Sequence, residues 1–190
     1  MAKLFIPILL GTVREGRKSE QAAVYIHKVI TQNKEIESEI VDPRQLNLPG
    51  DGNNEGANDP RYSEITKRAD GFIIVTPEYN HSFPGSLKRM LDSELKNYIH
   101  KPVVVAGVSA GGWGGIRAIQ SLVPVLRELG MAVTFSDIMV TSSYKAFGED
   151  GKPTNEKLKS GIETALTELI WYAKTLNWGK ENLPSKYHEK

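Results

Sequence analysis

The sequence predicts an α/β domain built on a five-stranded, doubly wound parallel sheet with helices on both faces. Three observations predict it. Short apolar, β-branched runs such as 71–75 and 102–108 are bounded by turn residues, as strands buried on both sides are. Segments with apolar residues at helical spacing alternate with those runs along the chain. The polar, glycine- and proline-rich stretches fall just after the apolar runs, where open α/β sheets carry their ligands.

The elements follow in order. Residues 3–10 read as the first strand, and 19–33 as a helix with Ala22, Ala23, Ile26, Val29 and Ile30 on one face. The start could pass for a short signal peptide. It lacks a small-x-small cleavage site, however, and Arg14, Arg17 and Lys18 follow at once, so a buried strand is the better reading. Residues 36–41 alternate weakly, as a strand does. Residues 42–59, rich in Pro, Gly, Asn and Asp, form a long surface loop of the kind used for function or interfaces. Asp59-Pro60 reads as an N-cap followed by proline at the first helical position, opening a helix to about Ala69. Residues 71–75 are strand three and 86–95 a helix. Residues 102–108 are strand four, and 115–129 a helix that Pro124 is expected to bend. Residues 131–140 are strand five. The last helix, 156–176, carries Leu158, Ile162, Ala165, Leu166, Leu169 and Ala173 at helical spacing. A chain of 190 residues without repeat or linker suits one domain over residues 1–190.

Composition bounds the function. Lys plus Arg number 24 against 23 Asp plus Glu, so no global field recruits nucleic acid or an acidic membrane. There is no cysteine, which removes disulfides, thiol nucleophiles and thiolate metal sites and is compatible with a reducing compartment. No apolar stretch approaches a membrane span, and a cytoplasmic location is expected. The four histidines, His27, His81, His100 and His188, show no paired metal spacing. Asp51-Gly52-Asn53-Asn54-Glu55-Gly56 begins like a calcium loop but has Tyr62 where the bidentate acid belongs. Ser82 and Ser109 lack a nucleophile-elbow setting, which argues against esterase chemistry.

Three loops carry the chemistry. Gly11-Thr12-Val13-Arg14-Glu15-Gly16-Arg17-Lys18-Ser19 joins strand one to helix one. Amides at a helix N-terminus, two hydroxyls and three cations make a phosphate cradle there, although Ser19 could instead simply cap the helix. The loop is a near miss for a nucleotide-triphosphate P-loop, because Arg17 displaces the lysine by one place; the three glycines of a dinucleotide turn are also absent. After strand three, Thr76-Pro77-Glu78-Tyr79-Asn80-His81-Ser82-Phe83-Pro84-Gly85 is a stiffened polar loop suited to a planar polar molecule. After strand four, Ser109-Ala110-Gly111-Gly112-Trp113-Gly114-Gly115 lets backbone approach a flat ligand, with Trp113 available as a wall. Strands three and four should be neighbours, which puts the last two loops side by side.

With Gly-Thr-x-Arg-x-x-Arg-x-Ser, Pro-Glu-Tyr-Asn-x-Ser-x-Pro-Gly-x-Leu-Lys and Ser-x-Gly-x-x-Gly-Gly in that order, the chain resembles the NADPH-dependent FMN reductases. That family has a flavodoxin-like fold and includes quinone, azo-dye and chromate reductases. The resemblance implies bound FMN, with NADPH or NADH as co-substrate and a small-molecule electron acceptor. It implies that Thr12, Arg14, Arg17 and Ser19 hold the FMN phosphate. Pro77, Glu78, Tyr79, Asn80 and Ser82 would line the ring and ribityl chain, with Ser109, Gly111, Gly112 and Trp113 along the other edge. Hydride then passes from nicotinamide to flavin and on to the acceptor, with no acid, base or nucleophile required of the protein. Family members form homodimers, sometimes homotetramers, and Met90, Leu91 and Leu95 are candidate interface residues. Thr12 stands where serine is usual, and Arg89-Met90 where Asn-Ala is common, which leaves substrate preference open. The competing class is a flavodoxin-like electron carrier or flavin sensor; the near-zero net charge argues against a carrier that docks redox partners through an acidic face.

Overall fold

Pro7 has no N–H to give to a ladder, and the first strand breaks there. In the computed structural model, which describes residues 3–52 and 56–188, the predicted strand 3–10 is two pieces, β1 (Leu4–Phe5) and β2 (Ile8–Leu10). Its neighbour is broken in step, into β3 (Ile36–Glu37) and β4 (Ile40–Val41). The parallel ladder nevertheless runs through the gap, with Ile6 N donating to Glu37 O at 2.9 Å and Ile8 N to Glu39 O at 2.8 Å. The central strands β5 (Phe72–Pro77) and β6 (Pro102–Val108) are continuous. The fifth line is again split, into β7 (Ala132–Val133) and β8 (Ile138–Val140), both paired with β6. Between those two pieces the backbone leaves the sheet, and the Phe135 and Ser136 amides donate to the Glu168 carboxylate at 3.0 and 3.1 Å.

Counted as lines, the sheet has five strands, all parallel, in the order second–first–third–fourth–fifth. Odd and even residues of the same strand serve opposite faces, the period-2 rule of a pleated sheet. Ile73, Val75, Val104 and Ala106 pack with α1 (Ser19–Ile30) and α5 (Glu156–Asn182) on one face. Phe72, Ile74, Val103 and Val105 pack with α2 (Pro60–Arg68), α3 (Gly85–Asp92) and α4 (Ile116–Glu128) on the other. The doubly wound architecture is therefore as expected.

Boundaries differ in three places. Helix α3 ends at Asp92, so Leu95, predicted helical, lies beyond it and is exposed. Met90 and Leu91 are fully buried against the subunit's own sheet, so they are core rather than interface, as the α3 apolar face has only that surface to cover. Helix α5 runs six residues past the expected end, and α1 stops at Ile30, short of the expected 33.

The 42–59 loop is tied to the rest of the domain at several points. Asp59 caps α2 through the Tyr62 amide at 3.0 Å and also accepts the Asn47 amide at 2.7 Å. Arg89, the departure from the family pattern noted above, donates to Gly52 O at 3.0 Å and Ala57 O at 2.6 Å. Of the segment that begins like a calcium loop, residues 53–55 lie outside the described residues. Among the described residues no cluster of three His, Cys, Asp or Glu could hold a metal, and no helix is long and apolar enough to cross a membrane.

Candidate functional site

The three predicted loops meet at the carboxyl ends of β2, β5 and β6, where the topology reverses direction between β2 and β5. Gly11 is what lets the first two touch. A Cβ there would lie 3.0 Å from Thr76 Oγ1 and 3.1 Å from Thr76 Cα. Ser86 Oγ then donates to Gly11 O at 3.0 Å, and Thr12 Oγ1 shares a hydrogen bond with Tyr79 Oη at 3.0 Å. A cleft of about 190 Å³ results, with Arg14, Ser19, Pro77, Glu78, Tyr79 and Ser109 among its walls.

Within the first loop, neighbouring residues have different fates. Arg17 is buried, and both terminal nitrogens of its guanidinium are bound to protein. It donates to Asp42 through two bonds, Nη1 to Oδ1 at 2.9 Å and Nη2 to Oδ2 at 2.5 Å, and to Thr12 O at 2.6 Å. The Arg17 hydrogen bond holds the Asp42 carboxyl below its usual range, and Asp42 raises Arg17 in turn. The bidentate partner thus occupies the fork's two terminal nitrogens, while Nε has no hydrogen-bond partner and Arg17 remains among the residues that wall the cleft. Arg44 extends the brace, donating to Val13 O at 2.9 Å and to Arg14 O. Thr12 is also internally satisfied, accepting the Arg14 amide at 3.2 Å.

Ser19 is the opposite case. Its residue is 1% exposed and its hydroxyl has no hydrogen-bond partner. It does not cap α1, because the N-cap position falls on Lys18 and no side chain caps the helix. An uncapped helix start, an orphaned hydroxyl and the exposed cation Arg14 are chemically suited to an anion, since such amides and the helix dipole favour negative charge. A buried polar group without a partner is costly, which is why an orphan in a cleft points to a ligand.

In the second loop, Tyr79 and Ser82 exchange backbone hydrogen bonds at 2.8 and 2.9 Å. Asn80 and His81 between them have φ of 48° and 67°, the two positive values that a tight primed hairpin turn demands. This turn carries Asn80 out to solvent, and Ser82 Oγ bonds Ser121 Oγ at 3.1 Å, so neither borders the cleft. Glu78 does. Its amide donates to Val108 O at 3.0 Å, and its carboxylate accepts the Arg117 amide and guanidinium, both at 3.3 Å.

The third loop splits in function. Gly114 and Gly115, with φ of 59° and 79°, let the start of α4 press onto β6 and β8; a Cβ on Gly107 beneath them would lie 2.5 Å from Gly114 O. Gly111 and Gly112 have open space where a Cβ would stand. Ser109 lines the cleft, but Gly112 and Trp113 open instead onto a separate cavity bordered by α4, β8 and the start of α5.

Sequence reading missed Asp42, Arg117 and Tyr144. Tyr144 lies in the loop after β8, beside the cleft, and the rule that ligands bind past strand ends would have found it. Asp42 and Arg117 carry no local signal, because each matters only through a partner distant in sequence.

The sequence profile of the NADPH-dependent FMN reductases matches residues 5–145. An NADPH azoreductase of Bacillus sp. strain OY1-2 is 29% identical over 154 residues, covering 77% of this chain and 83% of its own. A quinone reductase of Escherichia coli K12 is 31% identical over 156 residues, 77% of this chain and 78% of its own. Among solved structures, FerB, a flavoenzyme NAD(P)H:(acceptor) oxidoreductase from Paracoccus denitrificans, superposes with a TM-score of 0.74 at 19% identity, over 90% of this chain and 98% of its own, which bears on the fold alone. With a flavodoxin-like sheet order and a family profile matched over residues 5–145, the chain belongs to the NADPH-dependent FMN reductase family, enzymes that couple NAD(P)H to bound FMN.

Proposed function

We propose that this FMN-dependent NAD(P)H oxidoreductase holds the FMN phosphate at the start of α1 and reduces a quinone- or azo-type small-molecule acceptor. The observation that carries the phosphate assignment is the buried, unpartnered hydroxyl of Ser19 beside an uncapped helix. FMN, when bound, supplies the hydride-accepting and hydride-donating chemistry. The protein's residues position and shield. Arg14, Ser19 and the first amides of α1 take the phosphate, and Thr12 and Arg17 fix the loop that presents them. Pro77, Glu78 and Tyr79 form one wall for the ring and Ser109 the facing one, with Asn80 and Ser82 shaping the turn behind. Gly111, Gly112 and Trp113 border the open side, through which a donor and then an acceptor can approach in turn.

The test compares FMN with riboflavin, which lacks the phosphate. Arg14→Ala with Ser19→Ala should weaken FMN by about a hundredfold, two charge-assisted contacts, and riboflavin hardly at all. Equal losses would remove the cradle assignment. Stopped-flow mixing with anaerobic NADPH should bleach the flavin before acceptor is added, and quinone turnover should give parallel double-reciprocal lines. A flavin that neither nicotinamide nucleotide reduces would favour the carrier reading.

The assembly follows as a homodimer or homotetramer. Val13 and Tyr144, 50% and 71% exposed, leave apolar surface at the cleft's rim that a two-fold partner would cover. Sedimentation of the holoprotein at a single species of 21.1 kDa would exclude that. A cytoplasmic location suits an enzyme drawing on the NAD(P)H pool, and fractionation of cells producing it tests this.

A further inference from the structure

The cavity beyond Trp113 is large, about 1090 Å³, and none of the residues assigned above to the FMN phosphate or to the two walls of the ring lines it. Its floor and walls are apolar: Ile116 of α4, Ile138 and Met139 of β8, and Leu158 of α5. Trp113 stands at its edge, 68% exposed, with the Arg117 guanidinium 5.9 Å from the ring centroid. A large aromatic left this exposed on a cavity rim offers a face for stacking.

Two charged groups face the same space without a partner of their own. Asp137, half-buried among the apolar walls, makes no hydrogen bond or ion pair among the described residues. Burial alone pushes its carboxyl up, the signature of a carboxylate lacking a donor. Lys157 likewise has no carboxylate partner among the described residues, since its neighbour Glu156 pairs with Lys159 at 3.4 Å. Glu156 sits beside Lys157 and opposes an anion there, so a phosphate would depend on Lys157 itself. The cavity also communicates with the flavin site through one residue. Arg117 lines it, and the same side chain bonds Glu78 in the cleft wall at 3.3 Å.

A stacking face, a lone acceptor for an N–H donor and an unpaired cation describe a ligand with a flat aminated base and a phosphate. A quinone or azo acceptor carries neither phosphate nor need for one. The co-substrate carries both, at the end remote from its nicotinamide. We infer that this cavity receives the adenosine 2′-phosphate end of NADPH, with Trp113 stacking on the adenine, Asp137 accepting its exocyclic amine and Lys157 meeting the 2′-phosphate. The inference rests on the reading of the chain as an NAD(P)H oxidoreductase. It makes Lys157 the residue that separates NADPH from NADH, which lacks the 2′-phosphate.

Calorimetric titration of the FMN-loaded protein with adenosine 2′,5′-bisphosphate and with adenosine 5′-monophosphate tests it without turnover. The bisphosphate should bind about tenfold more tightly than the monophosphate, the value of one charge-assisted contact. Lys157→Ala should erase that ratio, and Asp137→Ala should weaken both ligands by a similar factor. Absence of saturable binding, equal affinities for the two nucleotides, or a ratio that survives Lys157→Ala would overturn the assignment. The underlying reading is checked separately, by FMN titration and anaerobic bleaching. Protein that binds FMN and is bleached by NADPH, yet ignores the bisphosphate, refutes this cavity assignment alone. Protein that binds no FMN refutes the reading beneath it.

Discussion

The β2–α1 loop and the β6–α4 loop lie at the same edge of one sheet with β5 between their strands, and each divides its residues between framework and ligand side in a different way. In the first the division is made by hydrogen bonding: both terminal nitrogens of Arg17 are committed to Asp42 and Thr12, while the Ser19 hydroxyl, two positions on, has no partner. In the second it is made by space: Gly114 and Gly115, and Gly107 of β6 beneath them, meet neighbouring atoms too close for a Cβ, while Gly111 and Gly112 face open room. The difference teaches one criterion with two forms. Within these two loops, a position crowded by the protein or tied through its terminal polar atoms is framework, and a hydroxyl left orphaned at the helix start or a Cβ position left open is available to a ligand.

The steepest way to break this comparison is steric. Gly107→Ala would put a methyl 2.5 Å from Gly114 O and 2.9 Å from Gly115 O, both backbone atoms that cannot swing aside. It should cost about 3 kcal/mol or more in denaturant unfolding, while Gly112→Ala stays within about 0.5 kcal/mol. Equal effects would mean that the loop's glycines do not divide as described. Next in size, Arg17→Ala should lose about 3 kcal/mol of stability even without FMN, because it strands the Asp42 carboxylate. Were Arg17 a phosphate contact instead, its loss would appear mainly in FMN affinity.

Ser19→Ala sharpens the contrast from the other side. Apo stability should hardly change, since no bond in the protein is lost, whereas FMN affinity should fall about tenfold, ~1.4 kcal/mol, and riboflavin affinity should not. The smallest effect concerns acid. Asp42 is held below its ordinary value of about 3.9 when folded, so its contribution is complete above that pH and is lost as pH falls through the depressed folded value. Thermal midpoints of Asp42→Asn should therefore drop less steeply than wild type below about pH 4. A wild-type acid slope retained in the variant would place the titration elsewhere.

Much of the site was legible because its signals are local. Gly11, Ser19, Pro77 and the 111–112 pair announce a strand end, a helix start and open backbone from residue type and order alone. The break at Pro7 was also readable, since a residue without an N–H cannot continue a ladder, yet the apolar run across it masked the interruption. Met90 and Leu91 were ambiguous for a different reason: an apolar helix face is the same sequence whether it covers its own sheet or a partner's.

By itself, then, the chain's order of apolar runs and turn residues determined a doubly wound parallel sheet and which loops would gather at its carboxyl edge, because periodicity, proline and glycine act within a few residues. Only the tertiary structure decided which polar side chains in those loops were free. Arg17 is claimed by Asp42, 25 positions away, and Trp113 turns outward from the cleft onto a cavity made by α4, β8 and α5. Hydrogen-bond capacity is finite and is taken up by whatever partner the fold brings within about 3 Å, a distance that no local pattern encodes.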